Sequence, residues 1–565
     1  MFLSNQRDYE LTASVKIFKF AQFSGFFEPS IPWHAHCNEA VNEYERKTMA
    51  NPSLFRSLPG PQALADSVNE AGGPAFAVTP KQALAQYAAT GCLNRTFYAD
   101  AETQLDRVLE LVSAAGPEFT AKVAVYSREQ GHMKDLPALL CATLSVLDAE
   151  SLKSVFPRVC DDAKMVRNFV QILRSGAVGR KSLGTVPKRL VLRWLESRSE
   201  EQLLRASVGQ NPSLADLVKM VHPRPTSPQR AAFYGWLLGR PYDEKALPDC
   251  VTQYEAFKKG RSSEIPDVPF QMLTALPIGP QGWSAIARRA SWQMTRMNLN
   301  TFARHEVFSD PAVTHQVVQR LRDPDTVRKA RVFPYQLLVA HAQADAAVPA
   351  EVREALQDAM DIALENVPFL PGRVVVCPDV SGSMQTPVTG HRKGSTTVVS
   401  CRDVAALITA ALLRKNHRTE VIPFSDDVVR INLNPRDSVM TNAHKLASLP
   451  SGGTNCSAPL RWLNREKSRA DLVILVSDNQ SWVDGQGGGR STATMLEWET
   501  LRRRNPDARL VCVDLQPSGT TQAREREDIL NIGGFSDSVF VLLAQFAKGE
   551  LHSDHWVGVI ESLAV

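Results

Sequence analysis

Arg373-Val374-Val375-Val376-Cys377-Pro378-Asp379-Val380-Ser381-Gly382-Ser383 is the stretch on which the reading of this chain turns. The run 373–377 has the apolar character of a buried strand, so Asp379 is expected just past a strand's C-terminal end. Asp-x-Ser-x-Ser then sets one carboxylate and two hydroxyls on a tight loop that contains a glycine. These are hard oxygen donors, of the kind Mg²⁺ prefers in near-octahedral geometry. Alone the pattern is weak, because Ser-Gly-Ser also reads as an ordinary turn.

Two further pieces follow in the chain. Gly452-Gly453-Thr454 offers a hydroxyl on a glycine loop, and Leu472-Val473-Ile474-Leu475-Val476-Ser477-Asp478 is a second buried-strand run ending in Asp. A set of helix N-caps after strands would account for the Ser and Thr residues but not for two strand-end Asp residues. The set Asp379, Ser381, Ser383, Thr454 and Asp478 resembles the metal-ion-dependent adhesion site of von Willebrand factor A domains. Mg²⁺ or another divalent cation is the expected cofactor, with water or a partner's carboxylate completing an open coordination shell.

Around these loops, strand and helix alternate. Strands are expected at Arg373–Cys377, Glu420–Phe424, Asp471–Ser477, Arg509–Asp514 and Val539–Leu543, and helices at Arg402–Lys415, Pro459–Glu466, Thr492–Arg504 and His555–Leu563. This alternation implies a doubly wound α/β domain with a parallel sheet covered on both faces. The metal loops then gather at the C-terminal edge of the sheet, where open α/β folds bind ligands.

Upstream, residues 60–360 read as helix after helix. Helical spacing marks Lys81–Ala89, Asp100–Ala114, Leu136–Leu147, Ala163–Ser175, Pro187–Glu196, Leu214–Met220, Pro228–Leu238, Trp283–Leu299, Pro311–Arg322 and Tyr335–Asp345. Pro and Gly punctuate them, as at Gly116-Pro117 and Pro223-Arg224-Pro225. Short helices joined by short breaks suggest an α-solenoid of paired, HEAT-like repeats. The expected organisation is residues 1–48 as an N-terminal extension outside the native chain, 49–365 as the helical domain and 366–565 as the A-like domain. Met49-Ala50-Asn51-Pro52 reads as a start of translation, so His34-Ala35-His36-Cys37 is discounted as a metal motif.

Composition narrows the class. The 565 residues carry a net charge of only +4, yet residues 151–350 hold 29 Lys and Arg against 17 Asp and Glu. A basic middle section suggests a polyanionic partner, most simply nucleic acid. Nine scattered cysteines, odd in number and without a C-x-x-C pair, argue against zinc modules and a disulfide framework and for a reducing cytoplasm. No apolar run reaches the length of a membrane span. Walker A, nucleophile-elbow and H-E-x-x-H motifs are absent. Asp426 and Asp484 show no pairing that would make either a catalytic base, and His552-Ser553-Asp554-His555 reads as a solvated helix start.

Cations cluster where helices end. Arg128 follows Tyr126-Ser127, and His132 and Lys134 sit in the break before Leu136. Arg174 closes one helix, while Arg180 and Lys181 lead into the next, which opens with Lys188 and Arg189. His222 ends a helix beside the rigid turn that carries Arg224. Each is by itself ordinary surface decoration; together, on successive helix ends, they could line one basic surface.

At this point the chain resembles a bacterial member of the Ro autoantigen family, whose helical part is the TROVE module shared with telomerase- and vault-associated proteins. The resemblance is carried by Asn69-Glu70-Ala71-Gly72-Gly73-Pro74-Ala75-Phe76, Tyr126 through Leu140, and Leu217-Val218-Lys219-Met220-Val221-His222-Pro223. It continues in Arg296-Met297-Asn298-Leu299 (with an inserted Met), Gly453-Thr454-Asn455-Cys456-Ser457-Ala458-Pro459 and Ser477-Asp478-Asn479, and covers about residues 49–565. It implies a monomeric ring of helical repeats closed by the A domain. It also implies that Y-like RNA binds the outer surface near His222, and that single-stranded 3′ ends of misfolded non-coding RNA enter a basic central hole. Arg296 joins the expected RNA contacts on the same ground. An exonuclease such as polynucleotide phosphorylase is the implied partner, and no enzymatic activity is expected of the chain itself. Two other classes compete: a cytoplasmic protein-interaction scaffold that grips carboxylates through the metal site, and a metal-dependent nuclease.

Overall fold

The structure, a computed structural model, describes residues 63–90, 101–388, 399–482 and 491–565, apart from 71, 275, 331, 333, 518, 535–537 and 552–554. The expectations for residues 1–48, Asp484 and His552–Asp554 fall outside the described residues.

The helical part shows directly how its elements arise. The helix Ala163–Ser175 begins where the Asp162 side chain accepts from the Met165 N–H at 2.8 Å and ends at Gly176, whose φ is +89°. Met165, Val166, Phe169, Val170 and Leu173 form its buried face. Ser199 and Ser213 make reciprocal capping boxes with Gln202 and Asp216. Some helices exceed the sequence expectation: Pro117–Glu129 and Ala149–Val159 each pack on neighbours where none was expected. Gly116-Pro117 is a helix start rather than a gap, because proline at the first position lacks only an N–H that would be unpaired anyway.

Trp283–Leu299 is corrected from one helix to pieces: Pro280–Arg289, Trp292–Met297 and Leu299–Arg304. Ala290 turns extended and the Ser291 side chain caps a new helix through the Met294 N–H.

Downstream lies a five-stranded sheet with every neighbouring pair parallel. Its strands are β3 (Val374–Pro378), β4 (Glu420–Val421), β5 (Leu472–Ser477), β6 (Arg509–Asp514) and β8 (Ile529–Gly533), in the order β4-β3-β5-β6-β8. Helices cover both faces, and separate apolar clusters fill the two sides. Regular strand spans only Glu420–Val421, but the backbone pairing expected of Glu420–Phe424 continues: the Ile422 and Phe424 N–H groups donate to the Val376 and Pro378 carbonyls, and Phe424 bridges Asp379. Val539–Leu543 is not the fifth strand. It lies in the helix Ser538–Lys548, which buries Val539, Leu542, Leu543 and Phe546 and leaves Val541 54% exposed. A short apolar run fits either period until its neighbours are known. Ile529–Gly533 takes the strand position instead.

The helical part meets this domain at both of its ends. At its start, β1 (Ser67–Val68) and β2 (Pro74–Ala77) form a hairpin, and β2 pairs with β7 (Thr520–Thr521) of the A-like domain. The C-terminal helix His555–Glu561 lies on the first helices: Lys81 pairs with Glu561 at 2.5 Å, Lys122 Nζ donates to the Glu561 carbonyl, and Tyr126 and Trp556 meet edge to face at 6.3 Å. At its end, the helices Pro334–Ala342 and Ala350–Ala363 pack on Cys401–Lys415 and Val439–Ala447. The helical repeats are thus closed into a ring by the α/β domain, as the fold class expected.

Candidate metal site and basic surface

Parallel register brings the two strand-end acids together. Pro378 lies opposite Val476, so Asp379 and Asp478 emerge side by side from adjacent strands, and the Asp379 N–H donates to the Val476 carbonyl at 2.9 Å. Ser381 N–H donates to Asp379 Oδ1 at 2.7 Å and Ser477 Oγ to Oδ2 at 2.6 Å. The Ser381 and Ser383 hydroxyls stand 3.3 Å apart. The glycine loop is drawn in by the Gly382 N–H, which donates to the Gly452 carbonyl at 3.0 Å. All five expected donors, Asp379, Ser381, Ser383, Thr454 and Asp478, are buried.

Asp426 is a loop anchor. Its Oδ2 accepts from the Gly453 N–H at 2.8 Å, and a Cβ on Gly452 or Gly453 would sit 2.2 or 2.4 Å from its carboxylate. A side chain at either glycine would therefore displace the group that positions Thr454. Arg402 Nη1 donates to Ser451 Oγ at 2.7 Å and its Nη2 bonds the Leu449 carbonyl, so a cation steadies the same loop.

The electrostatics suit a divalent cation. Burial, and then the neighbouring Asp478 charge, push Asp379 up to about 7. Burial pushes Asp478 up to about 6, while the nearby Ser383 hydroxyl eases the rise from short of a regular hydrogen bond. Neither Asp478 carboxylate oxygen has a hydrogen-bond partner among the described residues. Two buried carboxylates, of which Asp478 keeps open oxygens while Asp379 accepts from Ser381 and Ser477, together with two hydroxyls, are a hard donor set whose mutual repulsion a cation would relieve. No cluster of three or more His, Cys, Asp or Glu side chains able to hold a metal occurs among the described residues, so the hydroxyls matter as much as the carboxylates.

A third acid, outside the set expected from the sequence, lies on the next strand. Asp514 ends β6 directly across from Ser477, is buried, and is pushed well up by burial and then by the Asp478 charge. Its signal was present, since Leu510-Val511-Cys512-Val513-Asp514 repeats the pattern of a buried strand ending in Asp.

The expected RNA contacts divide into two groups. Arg128 pairs with Asp161 and Asp162 at 2.6 and 3.0 Å. Arg180 donates to the carbonyls of Ser145, Ser182 and Leu183. Arg296 is largely buried, donates to the Gln336 carbonyl at 2.8 Å and has its pKa lowered by burial. These three guanidinium groups tie segments together. His132, Lys134, Arg174, Lys181, Lys188, Arg189, His222 and Arg224 are exposed. His222 caps its helix in the left-handed region with φ of +53° and is followed at once by Pro223, so the backbone itself holds the imidazole out at the helix end. Arg174 lies near enough to Asp216 to lower its pKa, after the hydrogen bonds from Ser213 and the charge of Lys219, so the Ala163–Ser175 helix ends beside the start of Leu214–Val221.

Comparison with known proteins agrees with this architecture. The Ro60 vWA domain model matches residues 373–547, and the TROVE domain model matches residues 279–366. The RNA-binding protein RO60 of Deinococcus radiodurans is 25% identical over 523 residues, covering 86% of this chain and 95% of that protein. The RNA-binding protein RO60 of Caenorhabditis elegans is 23% identical over 246 residues, 42% of this chain and 37% of that protein. The crystal structure of the Deinococcus radiodurans RO (RSR) protein superposes with a TM-score of 0.59 at 21% identity, over 84% of this chain and all of that one. At that identity the likeness is one of fold.

Proposed function

We propose, from the premise that the chain belongs to the Ro family with its TROVE and von Willebrand factor A domains, that it is an RNA-binding ring acting in RNA quality control. The observation that carries this is a set of exposed cations at or beside helix ends. Lys134, Arg174, Lys181, Lys188, Arg189 and Arg224 make no salt bridge among the described residues, so their charge is available to phosphate. In this reading Y-like RNA docks on the outer surface by His222, and single-stranded 3′ ends of misfolded RNA pass through a central hole. A ring admits an unpaired strand and rejects a duplex by width, which selects a free end without reading its sequence. An exonuclease such as polynucleotide phosphorylase would act on the presented strand, in the cytoplasm.

The chain itself is read as non-enzymatic. Asp426, the acid nearest to serving as a base, is engaged with the Gly453 N–H. Asp379, Ser381, Ser383, Thr454 and Asp478 would hold Mg²⁺, which when bound supplies a Lewis-acidic position for a carboxylate or water. Crosslinking RNA to the protein in cells and sequencing it tests the reading. An enriched structured non-coding RNA is the expected result; no enriched RNA of any kind would overturn it.

A second reading, a scaffold that grips a partner's carboxylate, is favoured by Trp482. This residue is 51% exposed, and its backbone N–H donates to the Thr454 carbonyl at 2.9 Å, which puts a residue with an exposed aromatic ring next to the loop of the candidate donors.

A further inference from the structure

The seam at the other edge of the sheet holds a second feature. Residues 367–373 join the last helical repeat to β3, and the turn 416–419 joins the helix Cys401–Lys415 to β4. Asn416, buried, clips the two together: its Oδ1 accepts from the Leu370 N–H at 3.0 Å, and its Nδ2 donates to the Leu412 carbonyl at 3.2 Å. The Thr419 N–H donates to the Asn416 carbonyl at 2.9 Å and closes the turn. Between these segments lies a cavity of about 750 Å³, within the range of small-ligand sites.

Its lining has one chemical character. Phe369 stands 64% exposed at the rim, and the buried Leu370 and Val374 lie behind it. Arg373, Lys415, His417 and Arg418 line the same cavity, and no acidic side chain among the described residues does. Arg373 reaches Glu420 at 3.2 Å, whereas Lys415, His417 and Arg418 form no salt bridge among the described residues. An exposed aromatic ring beside cations, of which His417 and Arg418 are themselves exposed, is the combination that takes a nucleotide, with the base on the ring and phosphate on the cations. The groove borders the N-terminal ends of β3 and β4, whereas the metal donors leave the C-terminal ends of β3 and β5, so it is separate from the metal site.

We propose that this groove binds a single-stranded RNA segment, stacking one base on Phe369 and seating its phosphates on Lys415 and Arg418. This rests on the reading that the chain binds RNA. The strand must be unpaired, because a base inside a duplex cannot offer its face to the ring.

The test uses the whole protein and a short oligouridylate carrying one 4-thiouridine for photocrosslinking. Crosslinks are expected on the peptides containing Phe369 or 415–418. Phe369→Ala should weaken oligouridylate binding about tenfold at unchanged thermal stability. Lys415→Ala with Arg418→Ala should reduce the slope of log affinity against log salt by about two. Crosslinks confined elsewhere, with both variants binding like the parent, would overturn the groove while leaving RNA binding intact. Displacement of the RNA from the groove by an equal concentration of an acidic peptide would also overturn it, marking a protein-docking surface. A parent protein that binds no RNA would overturn both this inference and the reading it rests on.

Discussion

Asp478 carries opposed demands. Its carboxylate is buried, unbonded and next to Asp379, an arrangement that costs stability unless a cation is present. Asp478→Asn removes one of the two repelling charges while keeping the side chain's shape. In chelator the variant should unfold about 2–4 °C above the parent, the shift expected for about 1 kcal/mol in a domain of this size. In Mg²⁺ the order should reverse, because the parent gains from the ion and the variant does not. A variant that melts below the parent in chelator, or gains as much from Mg²⁺, would contradict the account. The position of the five candidate donors was legible in the sequence because each sits at a strand end or on a glycine loop, where local pattern decides position. Which arginines are exposed was not legible. Arg128 and Arg180 resemble Lys188 and Arg189 in sequence context, and only the packing of distant segments gives the first pair their acidic and carbonyl partners.

At the scale of elements, local signals succeed when a run has one consistent period and fail when it has none. Pro228–Leu238 and Pro311–Arg322 were found to the residue, each with proline at the first position and a polar cap before it. Val539–Leu543 has no period of its own, and Ile529–Gly533 hides a strand behind an Asn and a Gly that read as turn residues. The helical placement of 538–548 makes a sharp contrast between adjacent positions. Val541→Lys should change stability by no more than about 0.5 kcal/mol, since that side chain already faces solvent. Leu542→Ala should cost about 2–5 kcal/mol through the cavity it leaves. Urea unfolding measures both; equal costs at the two positions would contradict the helix.

At the scale of the whole molecule, closure depends on contacts that no local reading contains. Asn69 Nδ2 donates to the Ser481 carbonyl at 3.0 Å across 412 residues of sequence, and the Glu70 N–H donates to Gln480 Oε1. The segment that accepts these bonds begins at Asp478, so the clasp and the candidate metal site share a loop. Asn69→Ala removes a buried hydrogen bond and should cost about 1–3 kcal/mol locally. The effect should appear as faster amide exchange in residues 67–77 and 520–521, with the helices around Ala163–Ser175 unchanged. The uneven charge belongs to this scale too: residues 151–350 are basic within a chain of net charge +4, so attraction to a polyanion is concentrated on one arc of helices. The most direct test of the central claim is the affinity of purified protein for a structured RNA with a single-stranded 3′ tail, measured over a salt series with Lys188→Ala, Arg189→Ala and His222→Ala combined. The account predicts steep weakening with salt for the parent, and for the variant a loss of at least about tenfold with a shallower slope. Equal affinity and equal slope in the two proteins would contradict it.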